Sequence, residues 1–343
     1  MSTRIAINGF GRIGRAVVRS AIERGADLDI VAVNDVTDAA TLAQLLALDS
    51  VYGRFGPVAA DGDALIVAGH RIEVLAQPDP SGLPWEAFGV DVVIESTGRY
   101  RTRSGAARHL EAGASKVILS APAKGAEPAD ADVVLGVNFD EVYDAARHHI
   151  VTNASCTTNC LAPVAKVLHE TVGIRHGVMT TIHAYTADQN LLDGPHKDMR
   201  RARAAAVNLV PTSTGAAKAL GLVIPELDGK LNGFAVRVPI PTGSIVDLTI
   251  EAEHATSAAE VNGAFAAAAD SAPLAGILGY SEEPIVSADI VGSPLSALFD
   301  APLTTVVDGT QVKVLAWYDN EWGYANRLVE LAERVLAPVP AGS

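Results

Sequence analysis

The sequence predicts an α/β protein of two domains, a parallel sheet wound with crossover helices followed by a mixed-sheet α+β domain. Three observations carry that prediction. The chain has 343 residues, which is two domains' worth at about 150 residues each. It is 49% hydrophobic and 19% charged but only 5% aromatic, so a large core must be aliphatic, which suits a buried parallel sheet. Short apolar runs alternate with helical periodicity up to about residue 150, and longer strand-like segments dominate after it.

Taken in order, residues 4–8 form a short strand that runs into Gly9-Phe10-Gly11-Arg12-Ile13-Gly14. A helix follows with Ile13, Val17 and Ala21 on one face, and residues 29–35 form the second strand, completing one βαβ unit. Strands are predicted over 90–94, 116–120 and 132–136, with a helix over 106–112. Past residue 150, a helix carries Leu161, Val164, Ala165 and Leu168 on one face. Strands are predicted over 177–183, 233–238, 244–250 and 311–318. A last helix over roughly 323–336 precedes a Pro/Gly tail expected to fray. The domain bounds that follow are 1–154, completed by the C-terminal segment 319–343, and 155–318.

The formal net charge of −14 opposes any fold that works by coating nucleic acid or an anionic membrane. Two cysteines exclude a disulfide scaffold and a four-thiolate zinc site. The N-terminus turns polar within eight residues, and no apolar run approaches a membrane span. A cytoplasmic protein is expected.

Gly9, Gly11 and Gly14 make a G-x-G-x-x-G between a strand and a helix, and Asp35 closes the next strand 21 residues after the last glycine. Such glycines allow a tight turn and close backbone approach to a pyrophosphate at the helix N-terminus. A carboxylate at the end of the second strand accepts hydrogen bonds from ribose hydroxyls. The combination predicts a Rossmann dinucleotide-binding domain. Asp35 also selects NAD over NADP, because it would face a 2′-phosphate, and Val36, Thr37 and Asp38 bring no cation to offset it.

Cys156 follows Ser155 and precedes Thr157 and Thr158 at a predicted helix start, where the helix dipole favours the thiolate. His183 ends a strand 27 residues on, where a helix and a returning strand can place it beside the thiol. Cys160, one turn further, is expected to face the helix interior as an inert small hydrophobe. A thiol with a histidine also suits a thiol protease, which has no use for a dinucleotide site. Beside a nicotinamide, a thiol can form a thiohemiacetal from an aldehyde that then loses hydride. Arg237 reads equally as part of an anion cradle or as a core-edge salt bridge. The basic run Arg200, Arg201, Arg203 reads as a solvated or subunit-facing loop. No metal site is expected, since the histidines lack a surrounding set of acidic or thiol partners.

The segment Ala154-Ser155-Cys156-Thr157-Thr158-Asn159-Cys160-Leu161-Ala162-Pro163 resembles the signature of phosphorylating glyceraldehyde-3-phosphate dehydrogenases. Residues 8–15, 183–186, 214–218 and 317–321 match further family segments in order over nearly the whole chain, and residues 195–203 resemble the S-shaped loop of bacterial glycolytic members. The resemblance implies a Rossmann domain plus a mixed-sheet catalytic domain. It also implies NAD-dependent conversion of glyceraldehyde 3-phosphate and inorganic phosphate to 1,3-bisphosphoglycerate by a homotetramer. It implies Cys156 as nucleophile and His183 as base. Ser155, Thr157, Thr186, Thr214, Gly215 and Arg237 match positions that hold the substrate and its two phosphate sites. Arg12, Ile13, Asp35, Ser120 and Asn320 match cofactor contacts, with Asn320 orienting the nicotinamide amide. Gln77-Pro78-Asp79-Pro80 departs from the family's usual Glu-Arg-Asp-Pro, and residues 238–244 replace its commoner Pro-Thr-Pro-Asn. A relative acting on erythrose 4-phosphate or using NADP shares nearly all these residues, whereas a non-catalytic dinucleotide-binding regulator would need no nucleophile.

Overall fold

The computed structural model describes residues 2–337; the tail expected to fray lies, from residue 338 on, outside the described residues. The chain divides into two compact units. One comprises the chain up to Leu135, Phe139–Ser155 and the chain from Ala325; the other comprises Gly136–Asn138 and Cys156–Tyr324. Among the described residues, no helix is long and apolar enough to cross a membrane.

In the first unit, Thr3–Asn8 is a central strand with Leu28–Asn34 on one side and Val92–Glu95 on the other, both parallel to it. Lys116–Leu119, Ile150–Thr152 and Ala131–Asp132 continue the sheet beyond Val92–Glu95, and His70–Leu75 continues it beyond Leu28–Asn34, all parallel. Ile5, Ala6 and Ile7 are fully buried in consecutive positions, as a parallel sheet covered on both faces requires. Two antiparallel strands, Val58–Ala60 and Ala64–Val67, extend the far edge and were not marked in the sequence. The strand predicted over 132–136 is confined to Ala131–Asp132, because its partner ends at Thr152 and leaves residues 133–135 as a buried apolar turn.

The helix Arg12–Arg24 starts at Gly11 with no side-chain cap, and stops at Gly25, whose left-handed φ of 62° lets its N–H return to Ala21 and Ile22. The last helix, Trp322–Arg334, continues from the second unit into the first. Within the first unit Arg24 holds it through Asn326 (3.0 Å) and Glu330 (2.5 Å).

The second unit has a mixed sheet, in keeping with the hairpin-rich texture of its sequence. The strand Ile174–Ala184 pairs parallel with Leu231–Val238 and antiparallel with Ser244–Ala252, which in turn pairs with Gln311–Tyr318. Strand periodicity puts Met179, Thr181 and His183 on one buried face. The helix Cys156–Val172 packs against this sheet. The parallel register sets His183 opposite Arg237.

Candidate active site and dinucleotide cleft

The glycine turn of the first unit opens onto a cleft of about 220 Å³ lined by Asn8, Gly9, Gly11, Asp35, Pro78 and Thr97, among others. The turn tolerates no side chain where backbone must pass close. A Cβ on Gly9, at φ 94°, would lie 2.6 Å from Thr97 N, and one on Gly14 would lie 2.4 Å from Gly9 O. Above Gly11 there is open space to 4 Å. An uncapped helix N-terminus facing a cleft, with room over its middle glycine, fits a dinucleotide pyrophosphate. Asp35 accepts hydrogen bonds from Phe10 N (2.9 Å) and Thr37 N (3.1 Å), so the carboxylate that suits a ribose also braces the turn.

Arg12 and Ile13 open the helix, and the Arg12 guanidinium ion-pairs with Asp49 at 3.0 Å. Ser120 follows the strand Lys116–Leu119 and donates its N–H to Glu95 O at 3.0 Å. The variant Gln77-Pro78 segment is held through backbone: Gln77 N and O bond Asn34, and Pro78 O accepts from Tyr100 Oη (2.6 Å).

In the second unit, Cys156 is the first residue of its helix. The chain reaches it through Ala154, a buried non-glycine residue at φ 50°. Holding an alanine in the left-handed region costs roughly 1–2 kcal/mol. Cys156 Sγ lies 3.5 Å from His183 Nε2. His183 Nδ1 lies 2.7 Å from Ala184 O and 2.6 Å from Arg237 Nη1, which also donates to that carbonyl at 3.0 Å. A guanidinium only donates, so the Arg237 contact is made with a bare Nδ1; for Nε2 to act as a base the ring proton moves to Nδ1, with Ala184 O as its acceptor, and Arg237 Nη1 turns to Ala184 O alone.

Burial, reinforced by the Arg237 charge, pushes His183 down to about 3, so the imidazole is neutral throughout the physiological range. The thiol departs from the helix-dipole expectation. Burial pushes Cys156 up, and the Arg237 charge and Thr157 hydrogen bonds pull it back only in part. The resting pair is therefore a thiol beside a neutral base. Passing one proton between them creates opposite charges, which attract by about 4 kcal/mol at about 4 Å and an effective dielectric near 20. A pair that exchanges its proton in this way is expected to titrate as one unit.

The Nε of Arg237 is buried and has no hydrogen-bond partner among the described residues, a donor edge that an anion would satisfy. Thr186 lies just past the end of the His183 strand, half-buried. Thr214 and Gly215 precede the helix Ala216–Val223, with Thr214 Oγ1 accepting from Ala216 N at 3.2 Å. Thr157 Oγ1 is engaged by Tyr318 Oη at 2.9 Å. Asn320 is buried, and its Oδ1 accepts from Ser244 Oγ at 2.9 Å, which directs the amide nitrogen away from Ser244. Cys160 is fully buried against Ala316 O. Among the described residues no cluster of His, Cys, Asp or Glu could hold a metal ion.

Several site residues escaped the sequence. Tyr318 bridges Thr157 and Thr181 (2.8 Å) and meets the His183 ring edge-on at 5.8 Å. Thr242, in the variant segment, donates to Asp319 at 2.9 Å. Arg201 departs from the solvated one of the two readings of its basic run: its side chain is only 19% exposed. It bonds Asp188, Thr212 Oγ1 (2.8 Å) and Ser213 O (3.3 Å), bracing the approach to Thr214. Its neighbour Arg203 is solvated beside Asp193.

Residues 3–103 match the family model for the glyceraldehyde 3-phosphate dehydrogenase NAD binding domain, and residues 155–320 match that for its C-terminal domain. The chain is 58% identical to a glyceraldehyde-3-phosphate dehydrogenase of Kitasatospora aureofaciens over 98% of its length and 99% of that protein. It is 60% identical to glyceraldehyde-3-phosphate dehydrogenase 2 of Streptomyces arenae and 58% identical to the Geobacillus stearothermophilus protein of that name. Each of these covers 97% of this chain and 98% of the relative.

The coupled titration has a direct test in the rate of Cys156 alkylation by iodoacetamide against pH. His183→Asn removes the proton acceptor, so the inflection should move to higher pH and the rate at neutral pH should fall roughly tenfold. Superimposable profiles would contradict the pairing.

Proposed function

The chain belongs to the glyceraldehyde 3-phosphate dehydrogenase family, and from that premise we propose that Cys156, His183 and Arg237 carry the family's chemistry in this protein. It is an NAD-dependent enzyme that converts D-glyceraldehyde 3-phosphate and inorganic phosphate to 1,3-bisphosphoglycerate. The 3.5 Å approach of Cys156 Sγ to His183 Nε2 carries the assignment.

Cys156 Sγ adds to the aldehyde carbon while its proton passes by way of His183 Nε2 to the aldehyde oxygen, giving a thiohemiacetal. Bound NAD supplies the acceptor for the hydride that leaves this carbon. His183 Nε2 takes the hydroxyl proton as the carbonyl re-forms, leaving a thioester on Cys156. Inorganic phosphate then attacks the thioester carbon and gives up its proton to solvent, the sulfur leaves as thiolate and takes back the proton held by His183, restoring the resting pair, and the acyl phosphate departs. Arg237, with Thr186, holds one phosphate group through its unpaired Nε edge, and Ser155, Thr157, Thr214 and Gly215 serve the substrate and the second phosphate site. Gly9, Gly11, Arg12, Ile13, Gly14, Asp35 and Ser120 would hold NAD, and Asn320, at the family's nicotinamide position, would orient the nicotinamide amide. The first unit is then the NAD-binding domain and the second the catalytic one.

The protein works in the cytoplasm as a homotetramer. Leu191, Leu192, Met199, Val207 and Leu209 are each more than two-thirds exposed on one loop, an apolar surface that a second copy of the chain would cover. Sedimentation should give four times the 35.5 kDa chain mass; a monomer at micromolar concentration would refute the assembly.

Cys156→Ser should abolish NADH formation, by at least about a thousandfold, while NAD binding persists, and Cys160→Ser should keep most activity. The reverse pattern would displace the nucleophile. Asp35→Asn keeps an acceptor for Phe10 N but removes the charge that repels a 2′-phosphate. The NAD-over-NADP ratio in kcat/KM should fall at least about tenfold, mainly through a gain with NADP. An unchanged ratio would show that Asp35 does not set the choice.

A further inference from the structure

The first unit buries a polar cluster that neither the chemistry nor the cofactor contacts above use. Glu95 closes the strand Val92–Glu95 and is 2% exposed, and His109 and Trp85 are fully buried. The indole N–H can only donate, and it reaches His109 Nδ1 at 3.0 Å. His109 Nδ1 is therefore bare, the ring proton sits on Nε2, and Nε2 donates to Glu95 Oε2 at 3.1 Å. Asn8 Nδ2 donates to the same oxygen at 2.5 Å, and Glu95 Oε1 accepts from both the N–H (2.8 Å) and the hydroxyl of Thr97. Every group facing the carboxylate is a donor.

Those donors lead to the cleft. Asn8 Oδ1 accepts from Asn34 Nδ2 (2.7 Å), and Asn34 pairs with both backbone groups of Gln77 (2.8 and 2.9 Å). Asn8, Thr97, Asn34 and Gln77 all line the cleft. One carboxylate thus ties together the turns that leave three parallel strands, at Gly9, Thr97 and Gln77. The Gly9 turn has no slack, since its backbone passes against Thr97 N.

We propose that Trp85, His109 and Glu95 are positioning residues for the NAD cleft: the Trp85–His109 pair fixes the Glu95 carboxylate, which holds the Thr97 and Asn8 walls at the spacing the cofactor needs. A buried carboxylate costs free energy unless all its lone pairs are used, and here three of its four bonds come from the cleft residues Asn8 and Thr97 and the fourth from His109. Glu95 and His109 act through Thr97 and Asn8 and touch no cofactor themselves. The proposal rests on the glycine turn being the NAD site.

The test compares His109→Leu, His109→Gln and Glu95→Gln in the full-length enzyme. Glutamine at 109 can accept from Trp85 and donate to Glu95, so it should keep the Kd for NAD within about threefold of wild type. Leucine supplies neither bond and should raise Kd and KM for NAD at least about tenfold. Its KM for aldehyde and the cofactor-free alkylation rate of Cys156 should stay within about twofold. Glu95→Gln is nearly isosteric but turns an amide N–H toward donors, and should raise the Kd for NAD even if the leucine variant fails to fold. Wild-type NAD affinity in Glu95→Gln, or no rescue by glutamine at 109, would overturn the proposal. Failure of the wild-type enzyme itself to bind NAD would instead overturn the assignment of the cleft.

Discussion

Arg237 Nη1 lies 2.6 Å from His183 Nδ1 because the two residues are register partners on adjacent parallel strands, and the rest of the thiol site is arranged around that contact. A cation beside a buried imidazole opposes a second ring proton, so His183 stays a base. The same charge partly offsets the burial that keeps Cys156 protonated. After burial, this one guanidinium is the next influence on the proton affinities of both reacting groups, while its unpaired Nε leaves it a donor for an anionic substrate.

Around this contact the scaffold is rigid in the places where the chemistry needs it. Ala154 holds a left-handed backbone conformation that turns the chain into the Cys156 helix. Tyr318, buried with its phenol pushed well above the usual range, stays protonated and joins Thr157 on the helix to Thr181 on the His183 strand. Ser244 accepts from Ala184 N and donates to Asn320, so the peptide next to His183 and the Asn320 amide share one hydroxyl. These bonds join the Cys156 helix, three strands of the second unit and the turn that carries Asn320, so helix, strands and turn hold the site jointly.

The parts legible in the sequence were those whose physics is local. Gly9, Gly11 and Gly14 announce a turn that excludes Cβ atoms, Asp35 stands at a fixed spacing from them, and Cys156 sits in polar company at a helix start. What could not be read depends on register or distant partners. Arg201 looks like one charge among several until its strand neighbours Thr212 and Ser213 are placed beside it. Glu95 ends an apolar run, and its partners Asn8, Thr97 and His109 are scattered over a hundred residues, so nothing local marks it as buried. The thiol's departure from the helix-dipole expectation has the same origin, since burial is a property of the packed fold and outweighs the local dipole. The edge strands at 58–67 are short and alternate weakly, which leaves little periodic signal.

The central claim is that oxidation passes through a thioester on Cys156, made possible by His183. Trapping that species is the most direct measurement. The enzyme is mixed with the aldehyde substrate and NAD in phosphate-free buffer, quenched in acid within one turnover, and digested for mass spectrometry. The account predicts an acyl adduct on the peptide carrying Cys156, located on that sulfur, which disappears when phosphate is added before the quench and forms far more slowly in His183→Asn. NADH formed in full stoichiometry with no adduct on Cys156, or with the adduct on Cys160, would contradict it.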